Sequence, residues 1–138
     1  MPNPVEVFQT GFNQLSSRTL HLVEDIYAAD IHFLDPIHEI HGIAKLREYF
    51  AKLYDGVVYC QFDFAKPLVS GNEASIPWVM HVEHGKFQKG KRAHVPGISH
   101  IRFAEKVTYH RDYFDLGALI YERVPVLGGL IRGIKGRM

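Results

Sequence analysis

Two stretches hold the residues whose types and spacing could do chemistry. "HFLDPIHEIHG" (32–42) sets one aspartate, Asp35, among His32, His38 and His41 and directly before Pro36. "HRDYFD" (110–115) adds His110, Asp112 and Asp115. A carboxylate held in apolar surroundings can gain enough basicity to move protons to and from carbon. Asp35 is a candidate for that task, and equally for a turn in which its side chain accepts backbone N–H groups. Asp112 alternates with Thr108, His110 and Phe114, which places it on one strand face with a histidine. Its other reading is structural, a partner for a buried Arg or His. Asp115 precedes Leu116 and can be an acid/base group or the cap of a helix.

Nine histidines raise the question of a metal. His38 with His41, and His81 with His84, are three apart, a spacing that suits a helix face, yet both pairs fall in loop or strand context. Cys60 is the sole cysteine, so neither an internal disulfide nor a cysteine-based zinc site is open to the chain. No metal and no cofactor are expected.

The elements that must position these groups follow from periodicity. Asn3-Pro4 is a helix start, and Val5, Phe8, Phe12 and Leu15 continue as one buried stripe. "SSRTLHLVEDIY" restarts a helix with Leu20, Val23, Ile26 and Tyr27 on its apolar side. "ADIHFLDP" reads as a short strand, and Gly42 opens a third helix with Ile43, Leu46, Phe50 and Leu53 on one face. Beyond Gly56 the period falls to two. Val58, Cys60, Phe62 and Phe64 share a face, as do Ile76, Trp78, Met80 and Val82, and then Val95, Gly97, Ser99, Ile101 and Phe103. Pro77, Pro96 and Gly97 inside strands imply bulges or edges, which curl a sheet. The expected fold is α+β: one domain, 1–138, with a cone-shaped curved sheet and three N-terminal helices enclosing an apolar pocket. Phe33, Trp78, Met80, Ser99, His100, Ile101 and His110 are its expected lining.

A charge of +1 gives no general attraction to nucleic acid, and 46% hydrophobic against 22% charged residues excludes disorder. "MPNPVEVFQTGFNQ" lacks the basic and apolar regions of a signal peptide, no apolar run approaches a membrane span, and a reducing cytoplasm is the expected setting. The tail 116–138 combines a short helix with glycines, aliphatics, Arg132, Lys135 and Arg137. Packing or dimerisation is favoured for it over contact with an anionic membrane surface.

"FLDPIHEIHGIAKLREYF" (33–50), "VPGISHIRF" (95–103) and "HRDYFD" (110–115), in this order and spacing, resemble the SnoaL-like branch of the nuclear transport factor 2-like superfamily. Ketosteroid isomerase, polyketide cyclases and limonene epoxide hydrolase belong to the same superfamily. Asp35-Pro36 is similar to the isomerase's Asp-Pro, whose carboxylate is the proton-shuttling base. The isomerase's oxyanion donors have no counterpart here: its tyrosine falls near Gly11 or Phe12, and its protonated aspartate falls on Ser99. Asp112 matches a pocket aspartate of the epoxide hydrolase, but "PWVMHVEHG" (77–85) lacks the Arg-x-Asp pair that activates water there. Asp115 matches the acid/base aspartate of the cyclases. The resemblance also implies a homodimer formed through the outer sheet face, where Tyr109 and Tyr113 would lie.

Taken together, these residues point to cofactor-free acid/base chemistry on a small hydrophobic carbonyl compound, with Asp35 and Asp112 catalytic. A binding protein with the same cavity and no turnover is the alternative. An interaction module acting through the tail is a third.

Overall fold

A computed structural model describes residues 3–85 and 90–116. Helix α1 (Pro4–Gln14) starts as its sequence demands, with Pro4 in the first turn and the Asn3 side chain accepting from the Val5 N–H at 2.9 Å. α2 is only Leu22–Ile26, because the expected longer helix gives way to a turn at Ser16–Thr19 locked by the Thr19 and Ser16 hydroxyls. Strand β1 (Tyr27–Leu34) follows at once and pairs with β2 (Glu39–His41). α3 (Ile43–Tyr54) then leads into β3 (Val57–Phe64), the short β4 (Leu68–Ser70), β5 (Glu73–His84), β6 (Ala93–Phe103) and β7 (Val107–Phe114).

The strands form one curved, unclosed sheet in the order β2-β1-β7-β6-β5-β3, with β4 beside β5. β1 and β7 run parallel and the other pairs antiparallel, so the sheet is mixed. The helices cover one face. Val5, Phe8 and Phe12 of α1 meet Leu46, Phe50 and Tyr54 of α3 and the inward residues Ile31, Phe33, Ile76, Ile101 and Val107 of the sheet. Each large apolar side chain withdrawn in this way contributes roughly 1.5–3 kcal/mol. At the edge, the Asn13 side chain stands in for a strand partner. Its Oδ1 accepts the Phe62 N–H at 2.7 Å while its Nδ2 donates to the Phe62 carbonyl at 3.1 Å. That clasp ties the end of α1 to β3.

Three expectations need correction. The α3 stripe runs Leu46, Phe50, Tyr54 at four-residue steps, and Leu53 is exposed. Val58 is also exposed, because the β3–β5 register slips between Val57 and Tyr59 and turns it away from the Cys60, Phe62, Phe64 face. No bulge occurs at Pro77, Pro96 or Gly97, since the β5–β6 register is unbroken from Glu73↔Arg102 to Val82↔Ala93. Pro77↔Ile98 and Val79↔Pro96 lie two residues apart, so both prolines fall in the same class of pair. Lacking N–H groups, they fit the non-hydrogen-bonded class, with their ring nitrogens turned to where β3 and β7 have ended. The tail beyond Leu116 lies outside the described residues.

Candidate acid/base site

His110 and Asp112 are two apart on β7 and so share its inward face. The His110 ring is completely buried and packs against Phe8, Phe12 and Phe33 edge to face and against Tyr27 in a stack. Its two nitrogens both have partners. Nε2 lies 2.5 Å from Oδ1 of Asp112, and Nδ1 lies 2.6 Å from the Tyr27 hydroxyl. An ionised carboxylate only accepts, so Nε2 carries the hydrogen. With Nε2 as the donor, Nδ1 is left to accept the Tyr27 O–H. Ser99, on the neighbouring strand β6, accepts the indole N–H of Trp78 from β5 at 2.9 Å and donates to the same Oδ1 of Asp112 at 2.5 Å. Ser99 and Asp112 are direct cross-strand partners, which is what brings the two strands' polar groups together.

The donors thus run inward from both ends, Trp78 to Ser99 and Tyr27 to His110, and converge on one carboxylate oxygen. Asp112 keeps part of its side chain accessible, and among the described residues nothing donates to its Oδ2. Its negative charge reaches three inward phenols. Burial is the main reason that Tyr27, Tyr49 and Tyr54 hold their protons far above the usual tyrosine range, and Asp112 adds to it in each case. Each phenol also has a partner of its own: Tyr27 has His110, Tyr49 has Asp35, and Tyr54 has Cys60.

Asp35 sits in a different environment. Its Oδ1 accepts the backbone N–H groups of Ile37 at 2.8 Å and His38 at 2.7 Å, with the His38 ring at 3.2 Å. Its Oδ2 accepts the Tyr49 hydroxyl from α3. The turn is closed by the Asp35 N–H donating to the His38 carbonyl at 3.0 Å. The side chain is only 7% exposed, and both oxygens are engaged.

The remaining expected site residues divide by face. Phe33, Trp78, Ser99 and Ile101 are buried on the helix-covered side, with Met80 on the same face of β5 half-buried. His100 lies on the opposite face, where it is paired with Glu73 and set edge-on to Tyr109, because alternation along β6 points Ser99 and Ile101 inward and His100 outward. Asp115 follows the end of β7, and the helix it could cap lies outside the described residues. Tyr27, Tyr49 and Tyr54 were not among the expected site residues. Tyr27 reads as one more apolar side chain of a helix, while here it opens β1, and its hydroxyl finds a partner 83 residues away. No signal of local spacing could reveal that.

Comparison with known proteins agrees with this architecture. The family model for the SnoaL-like domain matches residues 8–110. The chain belongs to the SnoaL-like family. Among solved structures, it resembles a hypothetical protein of ketosteroid isomerase-like fold from Catenulispora acidiphila in complex with trimethylamine. The TM-score is 0.74 at 17% identity, covering 88% of this chain and 92% of that one. A putative SnoaL-like polyketide cyclase from Jannaschia sp. gives 0.74 at 15% identity over 88% and 91% of the two chains. An LEH-like epoxide hydrolase of M. tuberculosis gives 0.70 at 14% identity over 94% and 93%. At such identities the likeness is one of fold. A search of curated proteins finds no match. Among the described residues of this SnoaL-like chain, no helix is long and apolar enough to cross a membrane.

Proposed function

We propose that this SnoaL-like chain performs cofactor-free proton transfer on a small hydrophobic carbonyl compound, with Asp112 as the acid/base group. The observation that supports it is the asymmetry of that carboxylate: Oδ1 carries two donors and Oδ2 has none among the described residues. A carboxylate fixed by one oxygen presents the other in a set direction, and positioning of this kind is a large part of acid/base catalysis. The ligand would lie on the half-buried inward rings of Phe62 and Phe64 and beside Trp78, Met80 and Phe114. Oδ2 would take the proton from the carbon next to the ligand's carbonyl, the C–H electron pair moving toward oxygen to give an enolate. The same oxygen would return that proton to the enolate, at the same carbon or, where a neighbouring C=C extends the enolate, at its far end. The two-aspartate reading makes Asp35 the base. Its four contacts favour instead a positioning role, in which it holds Tyr49 and the turn after β1.

Hydrogen–deuterium exchange at carbon tests the proposal. Ketones and other carbon acids are incubated with the protein in D₂O and followed by proton NMR. Wild type should exchange the proton next to the carbonyl, and Asp112→Asn should lose this by at least about a hundredfold, the usual share of a general base. Exchange that survives in Asp112→Asn and disappears in Asp35→Asn would return the role to Asp35.

One observation favours the alternative of a binding protein without turnover. Ser99 and all three inward phenols already have partners, which leaves no uncommitted side-chain donor for an enolate oxygen in this cluster. Quenching of Trp78, the chain's single tryptophan, reports ligand binding directly. Saturable quenching without deuterium incorporation would decide for the binding protein. The outer face carries an exposed Tyr113 beneath Arg111, and we assign pairing of two copies to it, to be tested by light scattering.

A further inference from the structure

The outer face of the β1–β2 hairpin gathers three side chains that play no part in the proposed acid/base site. His32 and His41 are direct cross-strand partners, and Glu39 lies two residues before His41 on the same face of β2. The inward residues of this hairpin, Phe33 and Ile40, pair with each other, so the outward trio is fixed by the same alternation that builds the core. The imidazoles stack at 4.3 Å with planes 13° apart. His32 Nε2 lies 2.7 Å from Oε2 of Glu39, and His41 Nε2 lies 3.7 Å from that same oxygen. One ligand atom from each residue falls within 4.8 Å of the others.

We propose that His32, Glu39 and His41 form a surface site for one divalent cation of the zinc class. Bond lengths of about 2.0–2.2 Å to nitrogen and oxygen place neighbouring tetrahedral ligands roughly 3.3 Å apart, within reach of small rotations of these side chains. The strands fix the spacing of the three ligands, so little chain entropy is lost on binding. Two imidazoles with one carboxylate suit a borderline cation, whereas Mg²⁺ and Ca²⁺ require oxygen donors. The remaining positions open to water, since His41 and Glu39 are well exposed. Glu39 supplies the one anionic donor of the three. Binding replaces the His32–Glu39 hydrogen bond by two bonds to the ion, the proton of the neutral imidazole moving from Nε2 to Nδ1. Arg111 is the opposing charge, and Tyr109 the ring edge-on to His32. The bound ion would join β2 to β1 across from the turn that holds Asp35.

Isothermal titration of the full, tag-free chain with ZnCl₂ tests this, with MgCl₂ as the control titrant. One Zn²⁺ should bind per chain, and His41→Ala and Glu39→Gln should each weaken it by at least about tenfold. Both side chains are exposed, so circular dichroism of these variants should match wild type. The His81–His94 pair, whose Nδ1 atoms lie 2.6 Å apart with Asp63 at 2.7 Å from His81, is the competing imidazole cluster. His94→Ala should leave Zn²⁺ binding unchanged. Amide exchange along the β1–β2 hairpin should slow with Zn²⁺ in wild type and not in Glu39→Gln. An absence of binding at micromolar Zn²⁺, or binding lost in His94→Ala and kept in His41→Ala, would overturn the assignment.

Discussion

Replacing Tyr27 by Phe removes one hydroxyl from the centre of the protein and nothing else. That hydroxyl is the described partner of His110 Nδ1, at 2.6 Å, and both residues are essentially without solvent contact. In the variant, Nδ1 keeps its lone pair and loses its donor. A water cannot take the place, because it needs two to four polar partners and the surroundings are the rings of Phe8, Phe12, Phe33 and Phe50. An unsatisfied buried acceptor costs about 1–3 kcal/mol. Taking the middle of that range, about 2 kcal/mol, a chain of this size should melt roughly 6–10 °C lower. Urea unfolding at pH 7.5 measures the loss, read in parallel by far-UV circular dichroism and Trp78 fluorescence to check for a single transition. The variant should also turn over or bind any ligand of Asp112 less well, since the ring that holds Oδ1 is no longer held from behind. A loss below about 0.5 kcal/mol, the scatter of an ordinary surface change, would refute the argument. The Tyr27–His110–Asp112 chain would then not be a buried, dry network.

Other perturbations follow from the same structure. The Trp78 indole lies on Gly97 so closely that a Cβ there would meet Cη2 at 2.3 Å. Gly97→Ala should therefore cost about 1–3 kcal/mol, with a shift in Trp78 emission as the indole moves off Ser99. Cys60 lies beside Tyr54, and burial pushes its thiol up to about 12 despite the Tyr54 hydrogen bond. At pH 8 iodoacetamide should label it roughly a thousandfold more slowly in the native chain than in urea, in proportion to its thiolate fraction. Glu39 and Glu73 are both held below the ordinary 4.5, chiefly by hydrogen bonds from His32 and His100. A depressed carboxyl stabilises the fold above pH 4.5, and that contribution is lost as pH falls through the lowered values. The double variant Glu39→Gln, Glu73→Gln should flatten the fall in urea midpoint below pH 4.5 and leave the region near pH 7 without slope of its own.

What the sequence makes legible here is whatever one period can carry. The stripe Val5, Phe8, Phe12 and the alternation Ile76, Trp78, Met80 are local patterns, and the buried faces of α1 and β5 follow them. Asp112 with His110 belongs to this class as well, because two-residue spacing on a strand is enough to join them. The misses are those where a register decides. One slipped residue near Val58 reverses a face, and one α-helical step exchanges Leu53 for Tyr54. The histidines show the limit most clearly. Spacings of three, His38 with His41 and His81 with His84, join nothing in loop or strand context, and no local pattern names the partners across strands. The sheet instead joins His32 to His41 and His81 to His94 across strands, and turns His38 to Asp35.

The same distinction bears on which aspartate suits the proposed proton transfer. A motif match identifies a position in the chain, and Asp35 and Asp112 each have one. Competence depends on what the oxygens are doing once the chain is folded. Asp35 spends both of its oxygens on the turn and on Tyr49, so taking a proton there would break contacts that hold the end of β1. Asp112 spends one oxygen on Ser99 and His110, and a proton arriving at the other breaks none of these bonds. Protonating Asp112 removes a charge that three buried phenols feel, and the donors from Trp78 and Tyr27 stay where they are. A base that can be charged and discharged without moving its supports is suited to repeated proton transfer, and in this chain that description fits Asp112.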